Sequence, residues 1–202
     1  MPGTLFIVSA PSGAGKTSLV RATVGKLEHL TVSISHTTRP RRAGETEGVD
    51  YHFVDVLTFE HMMEENLFLE CAKVFDHWYG TSRQWVEQRL TVGDDVILEI
   101  DWQGAQQIRR KLEATVGIFI LPPSIDDLRI RLEKRAREGI DAIKRRMDEA
   151  ISEMRRYHEY DHVVVNDDFE RATQDLVATI AAIRAGHQPP RQTPPAGLLR
   201  LL

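Results

Sequence analysis

Short runs of apolar and β-branched residues recur at positions 5–9, 31–35, 96–100, 116–121 and 162–165, and most intervals between them carry apolar residues at helical spacing. The helical segments predicted from that spacing are 17–27, 82–91, 103–112, 125–138, 142–157 and 169–184. Stretches such as LFIV, GIFIL and VVV leave no polar face for water, so the sheet they build must be covered on both sides. Helical crossovers between parallel strands meet that requirement, and the pattern therefore predicts an α/β chain with a parallel β-sheet core flanked by helices.

Three segments break the rhythm. Residues 36–82 carry Gly44 and Gly48, an extended-looking 51–54, a short helix near 59–65 and a mixed run at 68–75, and are expected to form an inserted subdomain. Between 126 and 147 stand eight Lys and Arg against five acidic residues, the pattern of a mobile basic helical lid. Residues 186–202 hold four of the nine prolines and are expected to be a disordered tail. The core then comprises residues 1–35, 83–125 and 148–185.

Composition narrows the function classes. With 42% hydrophobic and 28% charged residues over 202 positions, the chain can bury a core. The net charge of −4 argues against a nucleic-acid binder held by its overall field. No apolar run approaches the roughly 20 residues that span a bilayer, so no membrane partner is expected. The N-terminus lacks the look of a signal peptide, and the single Cys71 cannot form an intramolecular disulfide; both point to the cytoplasm.

The sharpest chemical signal is Ala10-Pro11-Ser12-Gly13-Ala14-Gly15-Lys16-Thr17, followed by Ser18, lying between a predicted strand and a predicted helix. Glycines at 13 and 15 let successive backbone N–H groups turn inward around phosphate oxygens, Lys16 supplies a point charge, and Thr17 offers a hydroxyl to Mg²⁺. This is a P-loop in its required context, although Ala10 stands where the general pattern has glycine. A second signal is VILEIDWQG, whose Glu99 and Asp101 are two apart, on one face at the C-terminal edge of a strand. In a parallel sheet ligands bind at that edge, where Asp101 could hold Mg²⁺ through water opposite Thr17. The run His158-Glu159-Tyr160-Asp161-His162 matches H-E-x-x-H, but the apolar strand that follows puts His162 at or past the end of any helix, which argues against zinc.

The order SAPSGAGKT, SHTTRPRRAGE, GVDYHFV, FLE, YGTSR, EIDWQGAQQIR, LPPS and VVVNDDF, over residues 3–185, resembles the bacterial guanylate kinases. That resemblance implies ATP and GMP (or dGMP) as substrates, with Mg²⁺, in purine nucleotide metabolism. It places the GMP phosphate at Ser35, Arg39, Arg42, Tyr51 and Tyr79, and the guanine at Glu70 and Thr81 with Glu99 and Asp101 nearby. It places the ATP adenine near Asn166 and the phosphoryl clamp at Arg131, Arg135 and Arg146, beside Lys16. Two positions depart from the family: Ala136 where a glycine commonly follows the second lid arginine, and Glu99 in place of an aspartate. Two other functions stay open at this point, a non-catalytic binding module on the same scaffold and a kinase of another phosphorylated acceptor such as a ribose bisphosphate. A homo-oligomer is equally compatible with the sequence.

Overall fold

The computed structural model describes residues 2–74, 76–112, 114–135, 140–189 and 192–199, with the backbone alone for 135 and 140–142. In chain order the elements are β1 (Leu5–Ser9), α1 (Lys16–Val24), β2 (Leu30–Val32), β3 (His36–Thr37), β4 (His52–Phe53), α2 (Val56–Glu64), β5 (Phe68–Val74), β6 (His77–Ser82) and α3 (Arg83–Thr91). There follow β7 (Asp95–Glu99), α4 (Trp102–Lys111), β8 (Thr115–Leu121), α5 (Ile125–Arg135), α6 (Ile140–Met154), a 3-10 turn at Tyr157–Glu159, β9 (His162–Val165), α7 (Phe169–Arg184) and α8 (Ala196–Leu199).

Five strands form a parallel sheet in the order β2-β7-β1-β8-β9. All five residues of β1 are buried, which is why its sequence has no polar alternation. A second, four-stranded sheet has the order β4-β3-β6-β5 and is mostly antiparallel. The predicted insert contains this sheet. The strands β3 and β6 escape the sequence pattern because one is two residues long and the other, HWYGTS, has a glycine and a serine among its aromatics.

By packing, the chain divides into two compact units. The first comprises residues 1–6 and 29–115. Within it β2 pairs with β7, Val86 of α3 and Ile108 of α4 are fully or almost fully buried, and the second sheet is closed by α2. Asp55 caps α2 by accepting the Thr58 N–H at 2.7 Å, and Phe59 seats the helix by stacking on Phe68 with ring centroids 4.5 Å apart. Gly80 makes room for that stack: a Cβ there would come within 2.8 Å of the Phe68 ring.

The second unit comprises residues 7–28 and 116–202. Its β8 and β9 pair in register from Ile118 with His162 to Leu121 with Val165, and α1 packs on α7. Ser124 opens α5 by accepting the Asp127 N–H at 3.0 Å, and Asp168 opens α7 in the same way. His158 lies in the 3-10 turn and His162 in β9, so the two imidazoles do not share a helix face. Residues 136–139 of the expected lid, with the Ala136 departure, lie outside the described residues. Among the described residues no helix is long and apolar enough to cross a membrane.

The tail, expected to be disordered, carries contacts among its described residues. Gln192 accepts the backbone N–H of Val165, on the edge strand β9, at 3.0 Å, and Pro194 and Leu198 are buried, Leu198 to 1% exposure. Proline lowers the entropy such a segment loses on docking, and one leucine supplies the apolar contact. Truncating at residue 185, or the milder Leu198→Ala, should therefore cost roughly 2 kcal/mol and lower the melting temperature by several degrees, read by thermal unfolding. An unchanged melting temperature in both variants would return the tail to the disordered class.

Candidate active site

The P-loop is built from two glycines in left-handed backbone conformations, Gly13 at φ 89° and Gly15 at φ 94°. Any other residue would be strained at either position. Gly15 is also the residue before the first turn of α1, so the loop's N–H groups and the helix N-terminus converge on one place. The loop has a partner the sequence did not announce. The Asn166 side chain donates to the Ala14 carbonyl at 2.6 Å, and a Cβ on Gly15 would lie 2.5 Å from the same Asn166 amide. Arg131 on α5 joins them, donating to the Asn166 carbonyl at 2.9 Å and more weakly to the Ala14 carbonyl at 3.4 Å.

A cleft here is lined by Gly13, Gly15, Ser18, Arg131, Lys134 and Phe169. Phe169 is 42% exposed, an aromatic face left open to a planar ligand. Arg146 lies half-buried on α6, and the Arg135 side chain lies outside the described residues. Thr17, exposed at the start of α1, offers a hard neutral oxygen of the kind Mg²⁺ prefers. Among the described residues no group of three or more His, Cys, Asp and Glu is placed to hold a metal ion, so a cation at Thr17 would be held mainly by a nucleotide's phosphates and water.

In the other unit, Tyr79 lies on β6, Ser35 directly precedes β3 and Tyr51 directly precedes β4, while Arg39 and Arg42 follow β3 in the loop. Arg39 is buried to 8% exposure, its guanidinium 5.3 Å from the centroid of Tyr51, whose ring meets that of Tyr79 edge-on. What tolerates a buried cation is Glu45, a residue missing from the sequence reading. Its Oε1 accepts from Arg39 Nη2 at 2.7 Å and its Oε2 accepts the Arg42 backbone N–H at 2.8 Å. The Arg39 hydrogen bond outweighs burial and, with the Arg42 N–H, holds the Glu45 carboxyl below the usual carboxylate range. Burial, then the nearby Tyr79 and Glu99, push the Tyr51 phenol above its ordinary value, leaving it a neutral donor.

Glu70 is the most constrained side chain in this unit. It sits 3% exposed on β5 opposite Thr81 of β6, whose hydroxyl donates to Glu70 Oε1 at 2.6 Å. Burial first, and the negative Asp101 next, push its carboxyl up to about 7, against the Thr81 hydrogen bond and the charge of Lys111.

The position of Asp101 differs from the expectation. Strand β7 stops at Glu99, and Asp101 is instead the N-cap of α4, its Oδ1 accepting the Gly104 N–H at 2.9 Å and its Oδ2 the Gln103 amide at 3.1 Å. The helix-capping preference of aspartate overrides strand extension here. Two further residues of α4 were also missed. Gln107 donates to the Cys71 carbonyl at 2.7 Å and accepts the Cys71 N–H at 3.2 Å, and Lys111 donates to the Leu69 carbonyl at 2.7 Å. Since β5 is an edge strand, these side chains satisfy backbone groups that no neighbouring strand reaches. The spacing 104, 107, 111 in QGAQQIRRK is the one signal that could have shown it.

Residues 3–183 match the family model described as guanylate kinase. The chain belongs to the guanylate kinase family. A guanylate kinase of Alkalilimnicola ehrlichii is 54% identical over 96% of this chain and 95% of its own length. One of Alcanivorax borkumensis is 56% identical over 90% and 88%. The crystal structure of guanylate kinase from Anaplasma phagocytophilum, 32% identical, superposes with a TM-score of 0.73 over 100% of this chain and 94% of that one. The parallel sheet and flanking helices are thus those of the family.

Glu70 makes stability depend on pH. Its folded-state pKa lies above the unfolded value, so the native chain keeps a proton that the unfolded chain releases. The contribution is fully present below about pH 4.5 and is lost as pH rises through about 7. Urea unfolding of the wild type should show this downward component across that window, and Glu70→Gln should lack it.

Proposed function

We infer that the γ-phosphoryl group of ATP passes to GMP in one in-line step, giving ADP and GDP, phosphorylation of GMP being the activity of the family. The acceptor is already an ionised phosphate oxygen, so the protein needs no strong general base. Its work is positioning and charge stabilisation. Curated relatives at more than 50% identity are named guanylate kinases, and nothing favours the binding-module or ribose bisphosphate alternatives.

The observation that carries the acceptor assignment is the buried Glu70. Guanine presents N1–H and N2–H donors on one edge, and an ionised carboxylate accepts both. Adenine presents a lone pair at N1 and would leave the buried charge unpaired. Thr81 holds one oxygen in place, Asp101 adds a second acid beside it, and Glu99 lies near Tyr51. Arg39, Arg42, Tyr51, Tyr79 and Ser35 take the GMP phosphate, with Glu45 fixing the first two. Arg39 spends one donor on Glu45 and one on the Pro40 carbonyl, leaving further N–H groups for phosphate oxygens.

On the donor side, the P-loop from Ala10 to Ser18 cradles the ATP phosphates, and Asn166 with Phe169 borders the adenine. Arg131, Arg135 and Arg146 join Lys16 around the transferring group. Arg131 is bonded to neutral carbonyls, contacts that a guanidinium exchanges readily for phosphate oxygens. Mg²⁺, when bound with ATP at Thr17, would neutralise phosphate charge.

Lys16→Ala should lower turnover on the order of 10²-fold with the fold intact, because it removes a charge aimed at the transferring group. Near-normal turnover would remove the P-loop from the chemistry. For the acceptor site, Glu70→Gln should reduce kcat/KM for GMP on the order of 10²-fold while the KM for ATP stays put.

The pH profile gives an independent reading. Glu70 must be ionised to accept both guanine donors, so GMP affinity should weaken as pH falls through about 7. His36 does not obscure this, since burial and then the neighbouring His52 push it down to about 4. A GMP profile in Glu70→Gln that still bends near pH 7 would place the titrating group elsewhere.

A further inference from the structure

Gly104 stands in the first turn of α4, where it needs none of the freedom for which glycine is usually kept. It is absent from the residues with positive φ, and its N–H is held by the Asp101 cap. Alanine would favour the helix. What distinguishes the position is the space beside it. An ideal Cβ on Gly104 would lie 2.6 Å from Glu70 Oε2, 3.1 Å from Glu70 Cδ and 3.3 Å from Ile100 Cβ. The first is a contact that real Cβ atoms essentially never make.

A clash with the end of a flexible side chain is usually relieved at little cost. Here each way out is closed. Glu70 is 3% exposed, and its other oxygen is tied to the Thr81 hydroxyl at 2.6 Å. Nor can the helix retreat from the strand, because Gln107 bonds both backbone groups of Cys71 and Lys111 bonds the Leu69 carbonyl. The strand is pinned on both sides of Glu70, at Leu69 and Cys71, and the helix is pinned to it one and two turns after Gly104, so the carboxylate itself takes up the displacement. Moving Oε2 from 2.6 Å to the ordinary 3.4 Å is a shift of 0.8 Å. That is large for a group that must accept two directional hydrogen bonds.

We propose that Gly104 is a specificity-determining positioning residue: its missing side chain is what lets the Glu70 carboxylate stand over the first turn of α4 in the orientation that reads guanine. The proposal rests on the assignment of Glu70 to guanine. Gly104 touches neither nucleotide in this account and acts through Glu70 alone.

The test is a four-way comparison of wild type, Gly104→Ala, Glu70→Asp and the double variant, with steady-state kinetics for GMP and ATP and a melting temperature for each. Gly104→Ala should raise the KM for GMP roughly 10- to 100-fold, with a smaller change in kcat and none in the KM for ATP. Glu70→Asp withdraws the carboxylate by one methylene and weakens GMP use by itself, but it clears the space. Adding Gly104→Ala to it should therefore change kcat/KM for GMP by less than twofold. Should Gly104→Ala fail to fold while the double variant folds, the clash with Glu70 is demonstrated directly.

An equal loss from Gly104→Ala in both backgrounds would overturn the proposal, since it would mean a structural role independent of Glu70. So would wild-type GMP kinetics in Gly104→Ala when Glu70→Asp is impaired. If Glu70→Asp itself leaves GMP kinetics unchanged, the guanine assignment fails, and this proposal fails with it.

Discussion

A carboxylate taken out of water is expensive to keep, and half of this molecule is arranged around one. Glu70 is 3% exposed and faces another acid, Asp101, across the first turn of α4. Full ionisation would cost several kcal/mol without partners. The surroundings offer partial relief: the Thr81 hydroxyl at 2.6 Å, the charge of Lys111 and the N-terminal end of a helix. The result is a carboxyl near 7, poised between its two forms. A ligand edge with two N–H donors would complete what the protein leaves incomplete, turning a cost in folding into selectivity in binding.

The same economy operates at the P-loop. Turning backbone N–H groups toward phosphate leaves the loop's carbonyls pointing elsewhere, and buried carbonyls need donors. The Ala14 carbonyl receives the Asn166 amide and, more weakly, Arg131. Gly15 permits this twice over, by its positive φ and by having no Cβ where the Asn166 amide lies. Glycine is used alike at 15 and 104, as room for a polar side chain from a distant part of the chain.

Much of this was legible in order of appearance. Five apolar runs became five strands of one sheet, and α7 falls on its expected residues. The P-loop could be read because its requirements are local: two glycines, a lysine and a hydroxyl between strand and helix. The β5–β6 pair was harder, because a strand containing Tyr-Gly-Thr-Ser owes its extension to its partner rather than to its own propensity. The tail contacts of Gln192 and Leu198 were hidden for a related reason. Proline content describes the unfolded chain well, but says little about whether one leucine finds a place to dock.

The sequence alone determined the local matters: which segments extend or coil, and where two glycines, a lysine and a hydroxyl stand together between a strand and a helix, because periodicity and turn chemistry act over a few positions. Only the tertiary structure decided that Glu45 buttresses Arg39, that Asp101 caps a helix rather than ending a strand, and that Asn166 latches a loop 152 residues away. It also decided that Glu70 lies against a helix with no room for a Cβ. Desolvation and steric exclusion depend on what surrounds an atom in space, and that neighbourhood exists only once distant segments have packed.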